Sequence, residues 1–295
     1  MSEKYIHHKQ KLVSADNEKA ASMSIENAPI TNHPTCEPAV FLPQSLLKRA
    51  AKMAGKEQGM IPRCCVLDFD GELLPVAVER FGAKPCPTWP CFHTSLLTVE
   101  SVGVQMGLIG GTVGAPFAVL VAEQLIACGC RHIIGYSSAG AIADGLTLPC
   151  LVVPNRALRD EGTSYHYLPP SVWIEAQSGF PDIVAKHTAA CGLPVHRGDT
   201  WTTDAPYRET RTQIEHYRTN GILSVEMEAA ALMAIAEVRK AEITSLLHVT
   251  NVFGTTENDF DKGPPGISEK IIVCCLEVFA EVLGIRHFES ERIPQ

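Results

Sequence analysis

The densest chemistry in the sequence lies at Glu226-Met227-Glu228, two carboxylates flanking a methionine within the run Ser224–Leu232. A carboxylate can accept two hydrogen bonds at once from vicinal hydroxyls, which is the grip a ribose ring asks for. The same residues suit a plainer task, because acidic side chains stabilise the positive end of a helix. Met227 fits core filling as well as an apolar contact. A second segment, Ile134-Gly135-Tyr136-Ser137-Ser138-Ala139-Gly140, places small hydroxyl residues after an apolar run. At the carboxyl edge of a sheet such a turn offers backbone N–H groups to a ligand, although short glycine motifs also close ordinary turns. The third segment is Arg159–Pro169, RDEGTSYHYLP, where two tyrosines, His166 and paired charges crowd one loop. Surface loops are often polar, but this density of aromatic and ionisable groups exceeds what a solvated turn requires.

The pattern around these segments defines the scaffold. Apolar runs predict strands over Cys64–Asp68, Ser95–Glu100, Val102–Ile109, His132–Tyr136, Leu151–Pro154, Val195–Thr200 and Ile243–Thr250, with a turn at Gly103. Helical patterning predicts helices over Phe41–Met53, Leu74–Phe81, Pro116–Ala127, Pro181–Cys191, Glu228–Arg239 and Ile267–Leu283. The third of these carries proline in its first turn and ends toward Gly129, the expected asymmetry of helix ends. Strands alternating with helices argue an α/β fold in three layers, αβα, around a mixed, mainly parallel central sheet. Residues 1–36 are polar and aperiodic and are expected to form a flexible tail; residues 37–295 are expected to form a single domain.

Bulk composition narrows the partners. At 295 residues with 45% hydrophobic and 20% charged side chains, the chain can bury a core without metals or disulfides. A net charge of -8 argues against nucleic acid and anionic membrane surfaces, and no apolar run approaches a membrane span or a signal peptide. The 11 cysteines include no C-x-x-C and fit buried, reduced thiols, so the cytoplasm is the expected compartment. No metal-ligand spacing is present, and no metal is expected.

The three segments together, with Thr202-Thr203-Asp204-Ala205-Pro206-Tyr207, resemble the nucleoside phosphorylase superfamily of uridine phosphorylases, hexameric purine nucleoside phosphorylases and nucleosidases. Val225–Ala230, VEMEAA, is the most specific element, and the similarity runs from about Pro62 to Leu283. The resemblance implies a phosphorylase/hydrolase-like fold and cleavage of the N-glycosidic bond of a nucleoside. It implies no cofactor beyond phosphate as co-substrate, and a homo-oligomer (dimer, trimer or hexamer) that borrows residues between subunits. It puts the ribose on Glu226, Met227 and Glu228, with Glu228 accepting from the 2′- and 3′-hydroxyls. The base falls to Trp201, Thr203, Asp204, Glu161 and His166, and the phosphate or attacking water to Ser138 and Gly71. Asn251 stands where purine enzymes carry an acid that protonates the leaving base; an amide cannot serve as that acid at neutral pH.

The phosphate arginines of the family are missing. Gly135 stands in place of one, the acidic stretch Asp68-Phe69-Asp70-Gly71-Glu72-Leu73 in place of a second, and Phe92 in place of a third from a neighbouring subunit. Arg63, Arg80, Arg159 and Arg208 are the other cations that could refill the site. Family membership favours phosphorolysis, whereas these departures favour hydrolysis by a water activated at Glu72. Phosphorolysis is placed narrowly first. A non-catalytic nucleoside-binding or storage protein on the same fold is the further alternative, against which the retained Glu226-Met227-Glu228 set argues. A dinucleotide-binding oxidoreductase is excluded, because no G-x-G-x-x-G follows Cys64–Asp68.

Overall fold

A computed structural model describes residues 29–56, 59–101, 103–252 and 265–285. In chain order the elements are α1 (Pro43–Ala54), β1 (Cys64–Asp68), α2 (Leu73–Phe81), β2 (Lys84–Pro85), β3 (Leu97–Ser101), β4 (Val104–Gly110), α3 (Ala115–Ala127), β5 (His132–Ala141), β6 (Cys150–Asp160) and β7 (Trp173–Glu175). They continue with α4 (Phe180–Thr188), β8 (Val195–Thr203), α5 (Arg211–Thr219), β9 (Ile222–Glu226), α6 (Ala229–Arg239), β10 (Glu242–Val252) and α7 (Ile267–Val282).

Every residue of β1 is buried, because parallel β4 and β5 flank it and helices cover both faces. Side chains alternate across a strand. Cys64 and Val66 therefore join one core with Leu73 and Ala77 of α2, Val184 of α4 and Phe279 of α7. Cys65 and Leu67 join the other, with Val119 and Leu125 of α3 and Leu232 and Ile235 of α6. These are the three layers expected from sequence.

The sheet is mixed, and it also forks. Strands β10, β6, β8, β9 and β5 follow one another, and β10 pairs with β5 as well, so these five close into a barrel. Strand β5 belongs to both halves: it pairs with β1 through Tyr136 and with antiparallel β9 from Gly140, while β10 runs along its other side. Beyond β1 the open half continues through β4, β3 and the two-residue β2.

Closure explains where the sequence-based boundaries fall short. Ser137–Gly140, expected as a strand-to-loop turn, remain extended, because β10 pairs with Ser137, Ser138, Ala139 and Gly140. Strand β6 likewise runs on to Asp160 and β8 to Thr203, each pairing with the other. Helix α5 had no apolar signature because only Ile214 is buried; a capping box between Thr210 and Gln213 starts it. Part of the expected loose tail is also placed. Pro29–Thr31 form a 3-10 turn, Ile30 lies against Gly162, and the His33 ring sits 3.8 Å from that of His166. Residues 1–28 lie outside the described residues.

Candidate active site

The fork in the sheet creates the site. Between Tyr136, where β1 leaves, and Gly140, where β9 arrives, one side of β5 has no neighbouring strand. Such switch points at the carboxyl ends of strands are where open α/β sheets receive ligands. Around this gap stand the β1–α2 turn, the β4–α3 turn Gly111–Gly114 and the β9–α6 turn Glu226–Glu228.

Two carboxylate pairs face the gap, each spaced i, i+2 at the end of a strand that turns into a helix. In the first, Glu226 accepts from the N–H groups of Glu228 (2.7 Å) and Ala229 (2.6 Å) and from Thr202 Oγ1 (2.6 Å). Glu226 thus satisfies amides at the start of α6, the plainer role weighed for this motif. Glu228 turns the other way: it accepts from Gly114 N–H at 2.6 Å, from Ser137 Oγ at 3.5 Å and from Met227 N–H at 3.3 Å. Its side chain is held across the gap from α6 to the β4–α3 turn. Burial drives both carboxyls above the usual carboxylate range, and the charge of Glu226 raises Glu228 further.

In the second pair, Asp68 accepts from the N–H groups of Glu72 (3.1 Å), Leu73 (2.7 Å) and Leu74 (3.3 Å) at the start of α2. Burial pushes its carboxyl up to about 6, against those three amides. Asp70 is exposed and reaches across the fork to accept Ser138 N–H at 2.8 Å. Glu72 and Gly71 lie in the turn between this pair and α2. Gly71 has φ +77°, and a Cβ there would sit 3.9 Å from Gly111 N, so the two turns approach back to back.

The remaining predicted residues gather at the β6 and β8 ends. Asp204 accepts Gly162 N–H at 2.8 Å, and Glu161 accepts Ser164 N–H at 2.9 Å, which folds the Glu161–Tyr167 loop back on itself. Thr203 accepts Ala205 N–H at 3.2 Å. Burial raises Glu161 and lowers His166, the latter helped by His33. Asn251, next to last in β10, pairs with Gly140, and its Nδ2 lies 3.1 Å from Thr250 Oγ1. Met227 is half-buried beside Glu228.

Trp201 departs from its expected place. It is 1% exposed, packs with Ile142, Leu158 and Ile214, and donates Nε1–H to Asp160 at 3.0 Å. Its neighbour Thr202 reaches the opposite way, to Glu226, so the indole backs this wall instead of facing a ligand across it.

Among the described residues, Gly135, Arg159, Arg80 and Arg63 put no guanidinium on the anion side. A Cβ on Gly135 would meet Phe69 at 2.9 and 3.0 Å and Leu232 at 3.1 Å, so the strand has no room for a side chain there. Arg159 is spent on its own loop, donating to Ser164 (2.8 Å), Pro169 O (2.8 Å) and Ser171 (2.7 Å). Arg80 pairs with Glu269 at the far end of α2, and Arg63 precedes β1 at the opposite edge of the sheet. Among the described residues no group of three or more His, Cys, Asp or Glu could hold a metal ion.

Sequence reasoning named Asp68, Asp70, Ser137 and Thr202 only within longer segments, without a role for each, and it missed Gly114 as part of this site. The Asp68-Phe69-Asp70 spacing, which repeats that of Glu226-Met227-Glu228, was the available signal.

A forked sheet that closes into a five-strand barrel, with paired carboxylates at the switch point, defines an α/β enzyme-like fold of one recognisable class. The model of the phosphorylase superfamily matches residues 62–265, and the chain belongs to that family. Among similar proteins are the DeoD-type 2 purine nucleoside phosphorylase of Vibrio vulnificus, 27% identical over 151 residues, covering 50% of this chain and 64% of the relative. The uridine phosphorylase of Thermococcus kodakarensis is 26% identical over 170 residues, covering 52% of this chain and 61% of the relative. The match thus spans less than two thirds of the length of these curated relatives. A crystal structure of uridine phosphorylase from Vibrio fischeri superposes with a TM-score of 0.65 at 20% identity, covering 77% of this chain and 98% of that one. It shares the fold.

Proposed function

We propose that this chain cleaves the N-glycosidic bond of a purine or pyrimidine nucleoside, with phosphorolysis as the first reading. The observation that carries the proposal is Glu228, a buried carboxylate held by Gly114 N–H and Met227 N–H at the sheet's switch point. Two acceptor oxygens fixed in that position suit the 2′- and 3′-hydroxyls of ribose, with Met227 against the sugar. Glu226 positions this clamp by anchoring the start of α6. The base lies toward Glu161, His166, Thr203 and Asp204, with Trp201 supporting the wall from behind. As the bond to the base stretches, positive charge grows on the sugar, and the nearby carboxylates stabilise it. Asn251 can hydrogen-bond a base but cannot protonate it.

Phosphorolysis draws its support from the names of the relatives, purine nucleoside, uridine and guanosine phosphorylases. A second reading, hydrolysis by water activated near Glu72, is favoured by the anion side. There Asp68 and Asp70 occupy backbone donors and Gly135 admits no arginine. Neither reading needs a cofactor beyond phosphate. The acting form is a homo-oligomer in the cytoplasm. Exposed Val40, Phe41 and Phe92 supply apolar surface for subunit contact, and light scattering on the purified protein reads the assembly size. No described helix is long and apolar enough to cross a membrane.

The deciding experiment incubates the protein with purine and pyrimidine nucleosides, with and without phosphate, and assays free base and ribose 1-phosphate. Base release with ribose 1-phosphate supports phosphorolysis, and base release indifferent to phosphate supports hydrolysis. No release from any nucleoside overturns the proposal.

A further inference from the structure

The hydrogen bond from Ser138 N–H to the Asp70 carboxylate, 2.8 Å long, belongs to no sheet ladder and no helix. It fills the one stretch of β5 that β1 has left and β9 has not yet joined. Asp70 differs from Asp68 in every respect that matters. Asp68 is buried and holds three helix amides, so its removal would uncap α2. Asp70 is exposed and holds a single strand amide across the fork. Among the described residues no lysine, arginine or histidine forms an ion pair with Asp70. Its negative charge is nonetheless felt across the gap, where it contributes to raising Glu228. An exposed carboxylate on that amide presents anionic oxygens where a bound oxyanion would present its own.

We infer that Asp70 is a built-in competitor for the attacking anion: its carboxylate occupies the Ser138 N–H that inorganic phosphate would use. Phosphate gains that amide only when the Asp70 side chain swings out toward solvent, which its exposure permits. Two anions cannot share one donor at this separation without strong repulsion, so entry of one requires departure of the other. The residue therefore sets how much phosphate the site needs before phosphate can displace water as nucleophile. This inference rests on the reading of the site as one for nucleoside cleavage, and it deepens that reading at the anion end.

The test is calorimetric titration of inorganic phosphate into the wild-type chain, Asp70→Ser and Asp70→Asn without nucleoside, paired with base-release rates against phosphate concentration. Asp70→Ser is expected to bind phosphate at least tenfold more tightly than wild type. Asp70→Asn should fall between them, because its amide oxygen still accepts Ser138 N–H but carries no charge. The phosphate concentration giving half-maximal base release should drop by the same factor. Unchanged or weaker phosphate binding in both variants, each with the wild-type circular dichroism spectrum, overturns the inference. Base release with no change in phosphate binding removes the role of Asp70 and leaves nucleoside cleavage standing. Tighter phosphate binding in Asp70→Ser without base release from any nucleoside does the reverse.

Discussion

The two carboxylate pairs that face each other across the fork are built to one plan and put to different uses. In each, the first residue satisfies the amides at the start of a helix, Glu226 for α6 and Asp68 for α2. In each, the second crosses to another element, Glu228 to Gly114 and Asp70 to Ser138. The contrast lies in burial, since Glu228 is enclosed whereas Asp70 is open to water. A buried, pre-oriented acceptor is suited to gripping a neutral hydroxylated ligand, because water does not compete for it and no reorganisation is needed on binding. An exposed carboxylate on a single amide is a replaceable plug. The same local geometry thus yields a clamp on one side and a gate on the other.

The comparison breaks most visibly at Glu228. Replacing it with Gln is expected to lower kcat/KM by about 10²–10⁴, the loss of two charge-assisted hydrogen bonds of about 1.5–3 kcal/mol each. Steady-state rates on the best nucleoside read this directly, and wild-type activity in that variant takes the ribose away from Glu228. The two anchoring residues should instead announce themselves in stability. Asp68→Ala and Glu226→Ala are each expected to cost about 1–3 kcal/mol in urea unfolding by leaving buried amides without acceptors.

The pH dependence of that cost carries a sign. Burial raises Asp68 to about 6, so the folded state binds its proton more tightly than the unfolded chain does. Its contribution is fully present below the ordinary carboxylate range and is lost as pH rises through about 6. Asp68→Ala should therefore be more damaging at pH 4 than at pH 8, and an equal or larger cost at pH 8 contradicts the assignment.

An effect of the same size, from overpacking instead of lost hydrogen bonds, is expected at Gly135. Alanine there must displace Phe69 or Leu232, at about 1–3 kcal/mol of stability, and thermal melting would register it as a lowered Tm. The least is expected from Thr202→Val, which deletes one hydroxyl shared between Glu226 and Ala230 N–H. About 1 kcal/mol should be lost, read from the denaturation midpoint.

Much of this molecule was legible in its sequence. Apolar β1 was bounded to the residue, because a strand buried on both faces carries an uninterrupted apolar signal. Helix α6 announced itself by composition, its Ala, Leu, Met and Ile filling the space between strands. Closure of the barrel was not legible, since it rests on β10 meeting β5, a pairing between segments far apart in the chain. The ends of β5, β6 and β8 were lost with it, because small and polar residues there stay extended only through partners that local patterning cannot reveal. In the site, Glu226 and Glu228 were found together, but which one anchors a helix and which one faces the gap depends on the direction each side chain takes. Trp201 was misplaced for a similar reason: alternation along β8 put Thr202, and not the indole, toward the carboxylates.

The fork has one more consequence, for how this chain behaves in a crowd of its own copies. Strands that curl into a closed ring keep few free rims, and the open half ends in β2, two residues that include a lysine and a proline lacking an N–H. A neighbouring chain that tried to extend the sheet from there would find a charge and a missing donor where a growing fibril needs a continuous row of amides.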